Sequence, residues 1–226
     1  MLRSLTLFVG EDMSVEVQEI HTDTPHMRMI KHAARILEKG GVIVYPTDTI
    51  YGLAADIYNK AAIARVFKIK KVSKTKLMSL IFADLKNIGE WAHMSTPVFR
   101  VMNRVLPGKY TFILPASKMV PKNVLENRKT LGIRVPDNPV SRLLVEELGR
   151  PLLSTSVPKG DGVDDFFTDP EEIAERYKYE IDLLLDAGMM PNVPSTVVDF
   201  SVDPPEIIRE GAGDVNALFQ VNPLRV

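Results

Sequence analysis

The sequence predicts a single-domain α/β fold: a twisted, mixed β-sheet with helices on its faces. Short apolar, β-branched runs alternate early in the chain with segments whose apolar residues recur at helical spacing. Near the end, strand-like runs follow one another directly, which mixes antiparallel neighbours into the sheet. No Gly/Ser-rich or charge-rich linker divides the 226 residues. A chain of this length draws about 70% of its unfolded surface into one core.

Thr24-Pro25 is expected to start the first helix, with threonine as cap and proline at the first helical position. Met27, Ile30, Ala34 and Leu37 continue it, and Gly40-Gly41 ends it. Val42-Ile43-Val44-Tyr45 reads as a buried strand that stops at Pro46, with Thr47 to Gly52 as its exit loop. A helix over Lys60–Lys70 buries Ile63, Val66 and Phe67, and Met78–Phe82 is the next strand. Short helices are expected at Leu85–Trp91 and Pro97–Leu106, closed by a Pro107-Gly108 turn. Strands follow at Tyr110–Leu114 and Leu131–Val135. Asn138-Pro139 opens a helix burying Val140, Leu143, Leu144 and Leu148, and Gly149 closes it. Leu152–Val157 is a strand, and Asp169-Pro170 starts another helix. Strands at Asp182–Leu185, Thr196–Phe200 and Glu206–Arg209 finish the core.

Composition narrows the chemistry. The absence of cysteine removes disulfides, thiol nucleophiles and cysteine-ligated metals. The four histidines, His21, His26, His32 and His93, show no ligand spacing, so no metal site is expected. With 28 basic and 29 acidic residues the net charge is -1, which argues against a surface coated in basic charge but allows a local basic patch. No apolar stretch approaches the ~20 residues that span a bilayer. The first ten residues lack a signal-peptide cleavage site before Glu11 and Asp12, and Met13 is an alternative start. A cytoplasmic location without a membrane partner is expected.

Ligands of open α/β sheets gather at strand ends, and several here are rich in hydroxyls and cations. Pro46-Thr47-Asp48-Thr49-Ile50-Tyr51-Gly52-Leu53 follows the first strand, although Asp and Gly also suit an ordinary tight turn. Arg65, Lys68, Lys70, Lys71, Lys74 and Lys76 succeed one another with no acid between them. Such a run suits nucleotide phosphates or RNA, and equally a solvated helix end. Arg134-Val135-Pro136-Asp137, Ser154-Thr155-Ser156, Pro194 to Asp199 and Arg209-Glu210-Gly211 add matching polarity. Neither GxxxxGK[ST] nor GxGxxG is present, so a P-loop or dinucleotide fold has no support. No catalytic residue is assigned.

The run from Gly40 to Leu53 resembles the opening signature of the YrdC/YciO family. Pro107-Gly108-Lys109-Tyr110-Thr111, Gly132-Ile133-Arg134-Val135-Pro136, Pro194-Ser195-Thr196-Val197-Val198-Asp199 and Ile208-Arg209-Glu210-Gly211 continue it in order. The resemblance implies a domain over 21–218 with a concave basic cavity, an N-terminal extension at 1–20 and a tail at 219–226. It also implies synthesis of threonylcarbamoyl-adenylate from threonine, bicarbonate and ATP with Mg²⁺, for modification of tRNA. By this resemblance Thr47 contacts substrate threonine, and Lys70 faces its carboxylate and the phosphates. Thr111, Ser156 and Ser195, with Thr196 beside them, resemble nucleotide-facing hydroxyls, and Arg134 and Arg209 resemble the arginines that hold the triphosphate.

Two departures stand out. Val72 replaces the arginine of the family's KxR motif, and Pro158 the asparagine of its SxN motif. Both losses resemble the YciO branch and imply weak activity or an altered substrate. The alternative is a non-catalytic protein binding tRNA or double-stranded RNA through Lys68, Lys71, Lys74 and Lys76.

Overall fold

The computed structural model describes residues 14–70, 78–125, 128–159 and 166–219. The chain runs β1 (Glu16–Glu19), α1 (Met27–Glu38), β2 (Val42–Tyr45), β3 (Gly52–Asp56), α2 (Lys60–Lys70) and β4 (Ser79–Ile81). Next come α3 (Ile88–Trp91), α4 (Thr96–Val105), β5 (Tyr110–Pro115), α5 (Lys122–Leu125), β6 (Thr130–Arg134) and α6 (Pro139–Leu148). The last third holds β7 (Leu152–Ser156), α7 (Pro170–Tyr177), β8 (Leu183–Asp186), β9 (Thr196–Asp199), β10 (Glu206–Arg209) and α8 (Val215–Phe219). The ten strands among the described residues join one sheet in the order β1-β8-β2-β3-β7-β4-β6-β5-β9-β10. Parallel and antiparallel neighbours are mixed in it, as for β2 between parallel β8 and antiparallel β3. The single mixed α/β sheet expected from the sequence is present.

Four elements lie outside those expectations. Strand β1 joins β8 in parallel, so the sheet begins before residue 21, inside the expected extension. Glu-Val-Gln-Glu has no apolar alternation to betray it, because an edge strand leaves most of its side chains in water. Strand β3 is a Gly-Leu-Ala-Ala-Asp run of low β-propensity, held by buried pairing to β2 and β7. Helices α5 and α8 are single turns. The first helix also starts later than expected, with His26 as N-cap. The backbone N–H groups of Asp23 and Thr24 donate instead to His21 Nδ1, so Thr24-Pro25 belongs to a turn.

The two faces of the sheet are covered differently. One packs Val44, Leu53, Leu80, Phe112, Ile133 and Leu153 against α2, α3, α4, α7 and α8. On the other, Ile43, Tyr45, Ala54, Ile81 and Leu152 pack against α1 and α6 alone. No residue of β5, β6, β9 or β10 joins this second cluster. The rest of that face carries Ser154, Ser79, Gly132 and Ile113 on one rung of paired residues, followed by Arg134 and Thr111 on the next. Small polar side chains there, with no helix above them, leave a hollow.

Candidate functional site

The hollow is a cavity of about 260 Å³ lined by Thr47, Lys70, Thr111, Arg134, Ser156, Ser195 and Arg209. Seven of the eight residues expected to bind substrate thus converge, from seven separate segments of chain. Ser79, Ser154 and Thr155 complete the polar floor, with Ile81, Ile113, Val197 and Ile208 as apolar wall. Glycine keeps the floor low. A Cβ at Gly132 would lie 2.7 Å from Ser79 Oγ and 3.2 Å from Thr111 Cγ2.

Arg134, at the end of β6, organises the loop after β2. Its Nη2 donates to Asp48, to Thr49 Oγ1 at 2.6 Å and to Thr47 Oγ1 at 3.3 Å. Asp48 also accepts from the Asp137 backbone N–H at 3.0 Å, which joins this loop to the one after β6. Arg134 Nε is buried without a hydrogen-bond partner, an orphaned donor in a residue that faces the cavity. Sequence reading assigned Asp48 only to a turn. The pairing with Arg134 spans 86 residues, and no local pattern announces it.

Lys70 ends α2 and donates to Thr155 Oγ1, at the mouth of β7. Thr111 and Ser195 share a hydrogen bond of 2.8 Å between β5 and the start of β9. A bulge in the pairing of β10 with β9 sets Arg209 opposite Val197, and its Nε and Nη2 clamp the Ser195 carbonyl at 3.1 and 2.9 Å. Thr196 differs from expectation. It is fully buried and turned away from the cavity, donating to the Gly213 carbonyl at 2.7 Å and accepting from the Gly211 and Gly213 N–H groups. Gly211, from the other motif, is needed because a Cβ there would lie 2.2 Å from the Pro194 carbonyl. The Pro194–Asp199 and Ile208–Gly211 motifs therefore interlock as one unit.

The electrostatics are cationic. Lys70, Arg134 and Arg209 line the cavity, no carboxylate lines it among the described residues, and Asp48 pairs with Arg134 from behind. Of the basic run, Arg65 is committed to Asp182 at 2.9 Å and to the Glu180 carbonyl, while Lys68 is exposed. Lys71, Lys74 and Lys76, with Val72, lie outside the described residues. Pro158 does not line the cavity, and its carbonyl accepts from the Tyr177 hydroxyl at 2.6 Å. No described group of three or more His, Asp or Glu residues could hold a metal ion, and no described helix is long and apolar enough to cross a membrane. A second, wider opening of about 510 Å³ between α1 and α6 is lined by Met27, Arg28, Lys31, Arg35 and Glu147, none of them expected site residues.

Residues 35–211 match the family model Sua5_yciO_yrdC, described as "Telomere recombination". The chain is 42% identical to "Uncharacterized protein YciO" of Escherichia coli over 197 residues, covering 87% of this chain and 95% of that one. The crystal structure of E. coli YciO superposes with a TM-score of 0.86 over 90% of this chain and 99% of that one. A threonylcarbamoyl-AMP synthase of Coxiella burnetii is 35% identical over 134 residues, 58% of this chain and 71% of its own. P. abyssi Sua5, crystallised with L-threonine, is 25% identical with a TM-score of 0.79, over 86% of this chain and 57% of that one.

Proposed function

The chain belongs to the Sua5–YciO–YrdC family, and from that premise we propose that its cavity binds ATP and a small amino acid and joins them through a carbamate. The convergence of Lys70, Arg134 and Arg209 with seven serine and threonine hydroxyls around one cavity carries this reading. ATP, bicarbonate and an amino-acid carboxylate are all anionic, so holding them together demands fixed positive charge and oriented donors. The threonine-bound relative supports an amino acid as one ligand.

The amine condenses with bicarbonate to a carbamate, releasing water. A carbamate oxygen then bonds to the α-phosphorus as the bond to pyrophosphate breaks. Arg209 and Lys70 would neutralise the phosphates, while Arg134 and the Thr47 loop orient the amino acid. Mg²⁺ fits this lining only as part of the nucleotide, held by phosphate oxygens and water and neutralising the leaving pyrophosphate.

Two charge-assisted contacts missing at Val72 and Pro158 would cost roughly 3–6 kcal/mol if additive. That is about 10²–10⁴ in rate. Pyrophosphate release, measured with ATP, Mg²⁺ and bicarbonate and a panel of small amino acids, tests the proposal. Amino-acid-dependent release, slow with threonine, is the expected result. Absence of release with every amino acid of the panel, alongside salt-sensitive binding of double-stranded RNA, would replace it with a non-catalytic RNA-binding role.

A further inference from the structure

Tyr45, the last residue of β2, is fully buried, yet its phenol reaches across the neighbouring strand. It pairs with Gly52 of β3, and a Cβ at Gly52 would lie 2.7 Å from Tyr45 Cε1 and 3.2 Å from Ser154 Oγ. Glycine at that point lets the ring pass over β3, so that the hydroxyl meets Ser154 Oγ on β7 at 2.9 Å. Ser154 is the hydrogen-bond partner of Tyr45 among the described residues.

A phenol cut off from water must spend its proton on an available acceptor. Burial pushes Tyr45 up to about 12, so that proton stays in place at any physiological pH. Ser154 is thus the acceptor. Its own hydroxyl hydrogen, which meets no acceptor among the described residues, is left for the cavity it lines. Accepting one hydrogen bond also polarises a hydroxyl toward donating the next. Thr155 is placed the same way by the Lys70 ammonium, which can only donate.

We propose that Tyr45 is a positioning residue: it orients Ser154 as a donor into the cavity and so favours acceptor-only oxygens, carboxylate or phosphate, over amides. This deepens the anionic-ligand reading of the cavity and rests on it. The test compares dissociation constants of L-threonine and L-threoninamide by calorimetry for the intact protein, Tyr45→Phe, Ser154→Ala and the double variant. Tyr45→Phe is expected to lower the acid-over-amide preference about fivefold, the worth of one hydrogen bond of about 1 kcal/mol. Ser154→Ala should lower it similarly, and the double variant no further. Wild-type protein that binds neither compound overturns the anionic-ligand reading together with this one. Wild-type binding with an unchanged preference in Tyr45→Phe, or with losses that add in the double variant, overturns the positioning role alone. If Tyr45→Phe does not fold, a Ser154→Ala protein that keeps the wild-type preference overturns it equally.

Discussion

Asp56, at the end of β3, sits where water hardly reaches, and Arg150 solvates it instead, Nε to Oδ1 at 2.9 Å and Nη2 to Oδ2 at 2.5 Å. Burial alone would raise its pKa. The Arg150 hydrogen bonds, the Tyr58 backbone N–H and the Arg150 charge together outweigh burial and hold the carboxyl below its ordinary value. Because the folded value is the lower one, the pair stabilises the fold above about pH 4 and the benefit is lost as pH falls further. Asp56→Asn should therefore cost about 1–3 kcal/mol at pH 7 in urea unfolding, with the gap to wild type narrowing at pH 3. A gap constant between the two would mean that the charge of Asp56 contributes nothing. Single residues were also where sequence reading erred. Thr196 shares a motif with Ser195, but alternation along β9 turns it to the opposite side. Asp48 and Ser154 matter through partners 86 and 109 residues away, which no spacing rule reaches.

Elements whose ends carry chemical punctuation were legible. Helix α6 has Asn138 as N-cap, its side chain accepting from the Ser141 N–H at 3.1 Å, Pro139 in its first turn and Gly149 as C-cap at φ +71°. Helix α2 and strand β2 likewise stand where the pattern put them. Strands β1 and β3 were not legible, because one is a polar edge and the other draws its stability from neighbours on both sides rather than from its own side chains. Helix α6 does more than cover apolar surface. Ser141 Oγ donates to the Pro46 carbonyl at 2.9 Å, which pins the Thr47 loop beneath the helix start. Asn138→Ala should lower stability by about 1 kcal/mol, seen as a shifted denaturant midpoint with an unchanged slope. Asn138→Asp should restore most of it. A midpoint indifferent to both changes would assign the cap no energetic role.

The molecule as a whole is a sheet with one face fully roofed and the other half open, and the open half holds the candidate site. Sequence pattern foretold the layers but not this asymmetry, since which helices cover which strands depends on the sheet order. Ser79→Leu would fill the hollow without touching Lys70, Arg134 or Arg209. Its thermal midpoint should stay within a few degrees of wild type, while ATP affinity falls at least tenfold, read by calorimetry. Undiminished affinity would place the nucleotide elsewhere. The same sheet order sets a timetable for biosynthesis. The Val42 N–H bonds the Asp182 carboxylate 140 residues downstream, and β2 needs β8 as its parallel neighbour. At the usual ribosomal pace of roughly 5–20 residues per second, that partner follows β2 by about 7–28 s. For that interval Val42-Ile43-Val44-Tyr45 leaves the ribosome with one flank unpaired, a sticky edge that nascent-chain chaperones are suited to shield.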